Sequence, residues 1–494
     1  MRLSKLQAEL RGWKNGMQYE VVIGLEIHAE LKTKSKMFCG CRNVFGGEPN
    51  ANCCPVCLGM PGTLPVINRQ AVIYAIKAGL AMNCKISEFS RMDRKNYFYP
   101  DMPKAYQISQ YNIPLCHDGY VEIETDDQTK RIGIERIHLE EDAGKLIHDP
   151  NGQKTLIDYN RCGVPLIEIV TRPDIRSPKE ARLVFESIRT ILEYAGICDC
   201  RMQEGSLRAD VNLSVRPLGE KALGTRTEMK NLNSFRAVER ACEAEARRQI
   251  ELLEKGLKIV RETRRWDDAK QASFPLRDKE ENPDYRFFPE PDLVPIVVDA
   301  DWINEIKASL PELPESRRKR YIEQMGIPSY DAGLIASNKA VSDFFDEAVK
   351  ICGNYKLVSN WLMTEVLRLV NEKGEAVLPK LTARRFGELM VYCDNGGISQ
   401  ASAKKVLEML CETDEEPCQI IERLGLKVQR DESIVESVVN KVIQDNPRAV
   451  ADYKSGKTKA FGFLMGKVMA GLKGNGDPAQ VKEILARELK SSKD

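Results

Sequence analysis

Histidine is scarce in this chain, with 4 among 494 residues. No run of about eighteen apolar residues occurs, so no helix is expected to span a membrane. Neither charge sign dominates, with Lys+Arg 74 against Asp+Glu 73. Nonspecific nucleic-acid binding through bulk positive charge is therefore not implied, while a local basic surface stays open. The opening segment, MRLSKLQAELRGWKNGM, is basic but has no apolar signal core. It reads as a short extension, with an organelle-targeting segment as the weaker alternative. Neither a GxxxxGK[ST] loop nor a GxGxxG turn is present, so ATP use cannot be derived from a glycine-rich motif. The 15 cysteines are an odd total in a long chain, which argues against a disulfide framework. Reduced cysteines with one metal cluster, in a cytoplasmic protein, fit better. The length implies two to four domains.

What is present begins with Val21–Leu31, VVIGLEIHAEL. Val21, Ile23, Leu25, Ile27, Ala29 and Leu31 are apolar, and Glu26, His28 and Glu30 alternate with them. This period of two predicts a half-buried strand. Its polar side sets carboxylates around an imidazole, a row able to hold a divalent cation or move protons. A solvated polar face would explain the glutamates, but it explains a rare histidine less well.

Next comes MFCGCRNVFGGEPNANCCPVCLGMPG. Cys39-x-Cys41 and Cys54-x-x-Cys57 are two close pairs that can close a tetrahedral thiolate site. The loop between them is rich in Gly, Pro and Asn, so a bound metal would supply folding energy that packing cannot. Zinc is the favoured ion. Four thiolates alone also suit an iron–sulfur centre, and a redox pair is the third reading. The spacing leaves open whether Cys53 or Cys54 ligates. Asn68–Met82 follows with a helical period that serves packing.

Residues 90–115 mix Arg91, Arg94, Lys95 and Lys104 with Tyr97, Phe98, Tyr99, Tyr106 and Tyr111. Cations can neutralise phosphates and rings can stack on a base; the alternative is an aromatic satellite core. Pro100 and Pro103 argue against a helix, so a long functional loop is expected. A strand pair follows, Tyr120–Glu124 and Arg131–Asp142, with a turn at Asp126–Thr129. Its closing acids Glu140, Glu141 and Asp142 repel one another unless a cation or Lys145 intervenes, and either glutamate can turn inward to a metal. Glu168 lies in the apolar run PLIEIV, where a carboxylate is costly unless paired or ligating. Pro178–Ala195 reads as an amphipathic helix capped by Ser177. Leu207–Val215 is a second alternating strand, with Arg208, Asp210 and Asn212 on its polar side; Arg226, Glu228 and Lys230 continue the pattern. These rows are expected to share a cleft with Glu26 and His28, cations orienting phosphoryl oxygens and acids holding magnesium. A charged, largely surface helix is expected from Asn233 or Ser234 to Lys255.

Together these stretches carry a resemblance. VIGLEIHAEL (22–31), DRKNYFYPDMPKAYQISQ (93–110), HLEEDAGK (138–145), NRCGVPLIEIV (160–170) and EGSLRADVN (204–212) resemble the B subunits of tRNA-dependent glutaminyl/asparaginyl amidotransferases. So do KNLNSF (230–235), YRFFPEPDLVP (285–295) and GFLMGKVM (462–469). The resemblance covers essentially the whole chain. It implies an α+β architecture: a cradle-like catalytic domain of mixed, largely antiparallel sheet, an all-helical domain, and a small helical tail. It implies that ATP and Mg²⁺ phosphorylate the side-chain carboxylate of glutamate or aspartate misacylated onto tRNA. Ammonia then displaces the phosphate. The implied partners are an amidase A subunit, which releases ammonia from glutamine, and a small C subunit, in a heterotrimer. The implied class is a glutamine-hydrolysing carbon–nitrogen ligase; no amidase signature stands out in this chain itself. The family's catalytic and magnesium pattern falls on Glu26, His28, the pair Glu140 and Glu141, with Glu141 the better match, and Glu168. Zinc-bearing members match Cys39, Cys41, Cys54 and Cys57, which implies structural zinc. The cations expected at the nucleotide are Arg94, Lys95, Lys104, Arg208 and Lys230.

The expected domains are 1–305, 306–417 and 418–494. Pro283–Asp299 would close the first. Trp361, Leu362, Val366 and Leu369 read as a core stripe of the second. The acidic ETDEEP, 412–417, reads as a linker to the tail. Residues 441–494 hold 11 Lys/Arg against 6 Asp/Glu, a local balance of +5. That suits phosphate-backbone contact without base reading, and with the resemblance it points to tRNA. The competing reading of the whole chain is a non-catalytic tRNA-binding scaffold.

Overall fold

The computed structural model describes residues 18–491 except 126–127, 150–151, 153, 279–283, 375, 430 and 473. The basic opening segment and half of the expected turn at 126–129 lie outside the described residues. The chain divides into two units after Pro314.

The alternating stretch at 21–31 lies at the centre of the first unit because it buries apolar side chains at every second position. It forms β1 (Tyr19–Glu30), inside a 9-stranded sheet. The other strands are β2 (Lys85–Ile86), β3 (Cys116–Glu124), β4 (Thr129–Glu141), β5 (Pro165–Thr171), β6 (Leu207–Pro217), β7 (Thr227–Lys230), β8 (Glu262–Asp267) and β9 (Ala272–Asp278). Their spatial order is β9-β8-β7-β6-β1-β5-β4-β3-β2. Every neighbouring pair is antiparallel except β7 and β8.

One face of the sheet is apolar and is covered by α1 (Arg69–Ala81), α2 (Pro178–Tyr194) and α3 (Phe235–Glu254). Each helix starts where a side chain satisfies its free N–H groups: Asn68, Ser177 and Ser234. The structure corrects the reading of α3 as a surface helix. Ala237, Val238, Ala241, Cys242, Ala246 and Ile250 bury one face of it in the core, and its charges line the other. Gly79 of α1 lies close against β3: a Cβ there would stand 2.5 Å from the Cys116 sulfur. The opposite face of the sheet carries the polar rows.

The stretch at 90–115 is not one long loop. Asp93–Asn96 pairs with Tyr106–Ser109 and also with Phe288–Pro289 in a 3-stranded sheet. Arg94 fixes that sheet through a two-pronged bond to buried Glu290, Nε–Oε2 2.6 Å and Nη2–Oε1 2.8 Å. The helix Ala300–Ala308 buries Ile306 in the same core, so the first unit runs past residue 305.

The described residues of the second unit form helices with two separate apolar cores. One gathers residues from Tyr321 to Ile421, the other from Val435 to Leu489. Trp361, Leu362, Val366 and Leu369 are buried in the first. The acidic stretch 412–417 does not separate these cores. Glu416 and Gln419 form a capping box that starts the helix Pro417–Arg423, whose Ile420 and Ile421 belong to the first core. Among the described residues, no helix is long and apolar enough to cross a membrane.

Candidate active site and metal centre

Strand register assembles the polar face of the sheet. Across β4, β5, β1 and β6, His138, Glu168, His28 and Arg208 stand directly opposite one another. Two residues along β1, Glu26 stands opposite Asp210 of β6. Asn212 of β6 in turn faces Glu228 of β7. Side chains on one face of a sheet repeat every second residue, so both rows look the same way.

The first row holds His28, Glu140 and Glu168 as one candidate cation group. His28 Nε2 is 3.6 Å from Glu140 Oε1 and 3.5 Å from Glu168 Oε2. His138 Nε2 lies 3.4 Å from the same Glu168 oxygen. Burial works against a charged His28, but its hydrogen bond to Glu168 and the charges of Glu168 and Glu140 raise it to about 9. Burial equally disfavours the Glu168 carboxylate, yet His138, His28 and Lys95 hold it well below the ordinary carboxylate range. The carboxylate in the apolar run thus has the partners its burial demands.

The second row holds Glu26, Asp210 and Glu228 as another candidate cation group. Asn212 Nδ2 donates to Glu26 Oε1 at 2.8 Å. Lys230 Nζ reaches Asp210 Oδ2 at 2.5 Å and Glu228 Oε1 at 3.0 Å. Burial, then the Glu168 charge, raises the Glu26 carboxyl. Three gathered acids, two of them paired with one lysine, suit a hard divalent ion bound through oxygen.

The expected residues are not all brought together. Glu141 does not join His28 and Glu168. It makes an ion pair with Lys104, and its Oε1 accepts the Ile108 N–H at 3.0 Å. Alternation along β4 is the cause: neighbouring residues take opposite faces, and Glu140 takes the His28 side. Glu26 groups with Asp210 and Glu228 rather than with His28. Arg208 pairs with Asp142 at 2.8 Å beside the first row. Lys95 lies over the Tyr97 and Tyr285 rings, 5.7 and 4.9 Å from their centroids, with its charge felt at Glu168. Arg94 is engaged with Glu290 and Asp292, and Lys104 with Glu141, so neither reaches the two acid groups. Asp210 and Glu228 join Glu26 as the polar rows predict, whereas His138 had no expected role. Their signal was the strict alternation of their own strands, which needs the neighbouring register to become a site.

The cysteines gather as well. Cys57 Sγ lies 3.4 Å from Cys39 Sγ, 3.7 Å from Cys54 Sγ and 3.8 Å from Cys41 Sγ. A tetrahedron with metal–sulfur bonds of about 2.3 Å has edges of roughly 3.8 Å, so the four sulfurs fit one ion such as zinc. They leave no room for the bridging sulfides of an iron–sulfur cluster. Cys53 Sγ instead donates to the Asn50 carbonyl at 3.2 Å, so Cys54 is the fourth member. A hydrogen bond from Cys39 outweighs burial and, with the Cys54 backbone and the Lys36 charge, holds the Cys57 thiol down to about 4.

The model of the GatB/GatE catalytic domain matches residues 21–304, and that of the GatB domain matches residues 343–489. The B subunit of the aspartyl/glutamyl-tRNA(Asn/Gln) amidotransferase of Caldicellulosiruptor saccharolyticus is 56% identical over 477 residues, 96% of this chain and 99% of the relative. The protein of the same name from Caldicellulosiruptor bescii is 57% identical over 477 residues, with the same coverage. That from Thermoanaerobacter is 56% identical over 475 residues, 96% of this chain and 100% of the relative. With its catalytic-domain match spanning the whole polar-faced sheet, and such identity over nearly full length, the chain belongs to the family of amidotransferase B subunits.

Proposed function

We propose that this chain activates the side-chain carboxylate of glutamate or aspartate misacylated onto tRNA, then amidates it to give Gln-tRNA(Gln) or Asn-tRNA(Asn). The observation that carries this reading is the pair of acid groups on neighbouring rows of one sheet face, His28/Glu140/Glu168 and Glu26/Asp210/Glu228. A carboxylate is a poor acylating group. Its oxygen therefore takes the γ-phosphoryl group of ATP, releasing ADP; ammonia attacks the acyl carbon, and inorganic phosphate leaves. Magnesium bound at these acids would supply charge neutralisation for the triphosphate and the phosphoryl group in transfer. Arg208 and Lys230 flank the rows and orient phosphoryl oxygens. His138 fixes the Glu168 carboxylate, and Asn212 fixes that of Glu26. Because these groups stand on strands rather than loops, their spacing is set by register.

The relatives' name describes a subunit of an amidotransferase, which supports a multi-subunit assembly. We assign ammonia release from glutamine to an amidase A subunit and bracing of the assembly to a small C subunit. Cys39, Cys41, Cys54 and Cys57 are assigned to structural zinc, which fits the reducing cytoplasm. The chain is read as three parts: the catalytic first unit, the helical core ending near Ile421, and the tail core of Val435–Leu489. The tail is assigned to the tRNA backbone. It has an open groove of 660 Å³ whose lining includes Arg448, Lys457, Lys459 and Phe463 together with Asp445 and Asp452, the latter paired with Lys457.

The test is to give the co-purified complex each misacylated tRNA and γ-labelled ATP without an ammonia donor. A labelled acyl phosphate that forms only with magnesium and only on the cognate tRNA is expected. ATP consumption independent of both would overturn the reading.

A further inference from the structure

We propose that Lys36 is the charge partner of the four-cysteine centre: its buried ammonium, held on Cys57, strengthens metal binding and shields the thiolates from electrophiles. This rests on the assignment of Cys39, Cys41, Cys54 and Cys57 to a zinc ion.

Lys36 is 0% exposed, which is rare for lysine unless a partner carries opposite charge. Its Nζ donates to the Asn52 carbonyl at 2.7 Å and to Cys57 Sγ at 3.7 Å. The acceptor loop is braced: Asn52 N–H donates to Asn160 Oδ1 at 2.7 Å, and Asn52 Nδ2 donates to the Arg42 carbonyl at 2.6 Å. Lys36 is tied to the ligand turn by its backbone too, with its N–H on the Cys41 carbonyl at 2.9 Å. One residue therefore fixes both halves of the cysteine set.

The electrostatics explain why a lysine stands there. A divalent ion with four thiolates is doubly negative, and even a partly buried centre of that charge is costly, most of all at buried Cys57. A buried ammonium alone is costly too. Side by side, each offsets the desolvation of the other, and removing one leaves an uncompensated buried charge. The bond falls on Cys57, the sulfur within 3.8 Å of the other three. An N–H donated to a metal-bound thiolate withdraws electron density from the sulfur and makes it a weaker nucleophile. Lys36 thus acts through the ligands and is a positioning residue.

The test compares the full-length protein with its Lys36→Met and Lys36→Arg forms. Methionine keeps the unbranched stem and removes the charge. Three quantities are read: zinc per chain after chelator-free purification, zinc affinity against a chromophoric chelator, and the rate of zinc release by iodoacetamide. Partners of metal ligands typically contribute about 10–100-fold to affinity, so Lys36→Met is expected to lose at least about tenfold. It should also release zinc several-fold faster on alkylation, with Lys36→Arg restoring both in large part. Wild-type affinity and alkylation rate in a folded Lys36→Met protein would overturn the proposal while leaving the zinc assignment intact. A wild-type protein without stoichiometric zinc would overturn both. Lysine acetylation of the wild-type protein, read by mass spectrometry, covers the case in which Lys36→Met does not fold. Lys36 should resist acetylation in zinc-loaded protein and react after zinc is stripped, while exposed Lys32 and Lys34 react equally in both states. Equal protection of Lys36 in both states would refute the coupling.

Discussion

Replacing Glu168 by Gln keeps the shape of the side chain and its hydrogen-bonding capacity but removes its charge. The flanking Ile167 and Ile169 are fully buried, so the backbone of β5 cannot move to compensate. At 3.5 Å from His28, the carboxylate attracts a protonated imidazole by roughly 5 kcal/mol at an effective dielectric near 20. A divalent ion beside it would feel twice that charge product. Burial of the carboxylate cancels much of the gain. The net loss in the phosphoryl-transfer step is expected to be about 3–4 kcal/mol, or roughly 10²–10³-fold, comparable to removing one preorganised electrostatic contact elsewhere. The assay is formation of acyl phosphate from γ-labelled ATP and misacylated tRNA with no ammonia donor, at several magnesium concentrations. Binding of tRNA, measured separately at fixed salt, should stay within about twofold, because the tail and not this row is assigned to the backbone. Near-normal acyl phosphate formation with unchanged magnesium dependence would remove Glu168 from the site and refute the argument from the two rows.

Glu140→Gln should match the phosphoryl-transfer defect of Glu168→Gln. Glu141→Gln should instead show mainly as lost stability, about 3–5 kcal/mol for an orphaned Lys104, seen in chemical denaturation; equal defects in the acyl phosphate assay would contradict the strand alternation. Gly79→Ala drives a Cβ to 2.5 Å from the Cys116 sulfur, so it should lower stability by about 1–3 kcal/mol, measured by the denaturation midpoint. Removing residues from Asp431 onward takes the whole tail core and leaves Ile420 and Ile421 packed. It should weaken tRNA binding at matched salt while glutamine hydrolysis by the co-purified complex continues, and undiminished tRNA affinity would reject the tail assignment.

Much of the architecture was legible in the order of residues. Alternation at 21–31 and 207–215 gave two strands their faces, and that face rule is local: a side chain's side of a strand depends only on its own backbone. The cap Ser177 was readable for the same reason, while the choice of Ser234 over Asn233 came from the structure. Two close Cys pairs around a Gly- and Pro-rich loop were enough to suggest a thiolate site. The cost of a carboxylate in PLIEIV marked Glu168 before any partner was visible. What the order of residues could not decide was which strands lie side by side and in what register. Register alone brings His138 to Glu168 and Glu168 to His28, and separates Glu26 into a second group with Asp210 and Glu228. Between the adjacent acids, alternation persisting to the end of β4 sends Glu140 to the polar row, and only the fold supplies Lys104 for Glu141. The same holds for Cys54 over Cys53, for Arg94 drawn to Glu290 almost two hundred residues away, and for buried Lys36 on Cys57. Apart from the cysteine choice, which turns on contacts three residues apart, these are pairings of groups distant along the chain, and such partners are set by packing of the whole sheet rather than by neighbours in sequence.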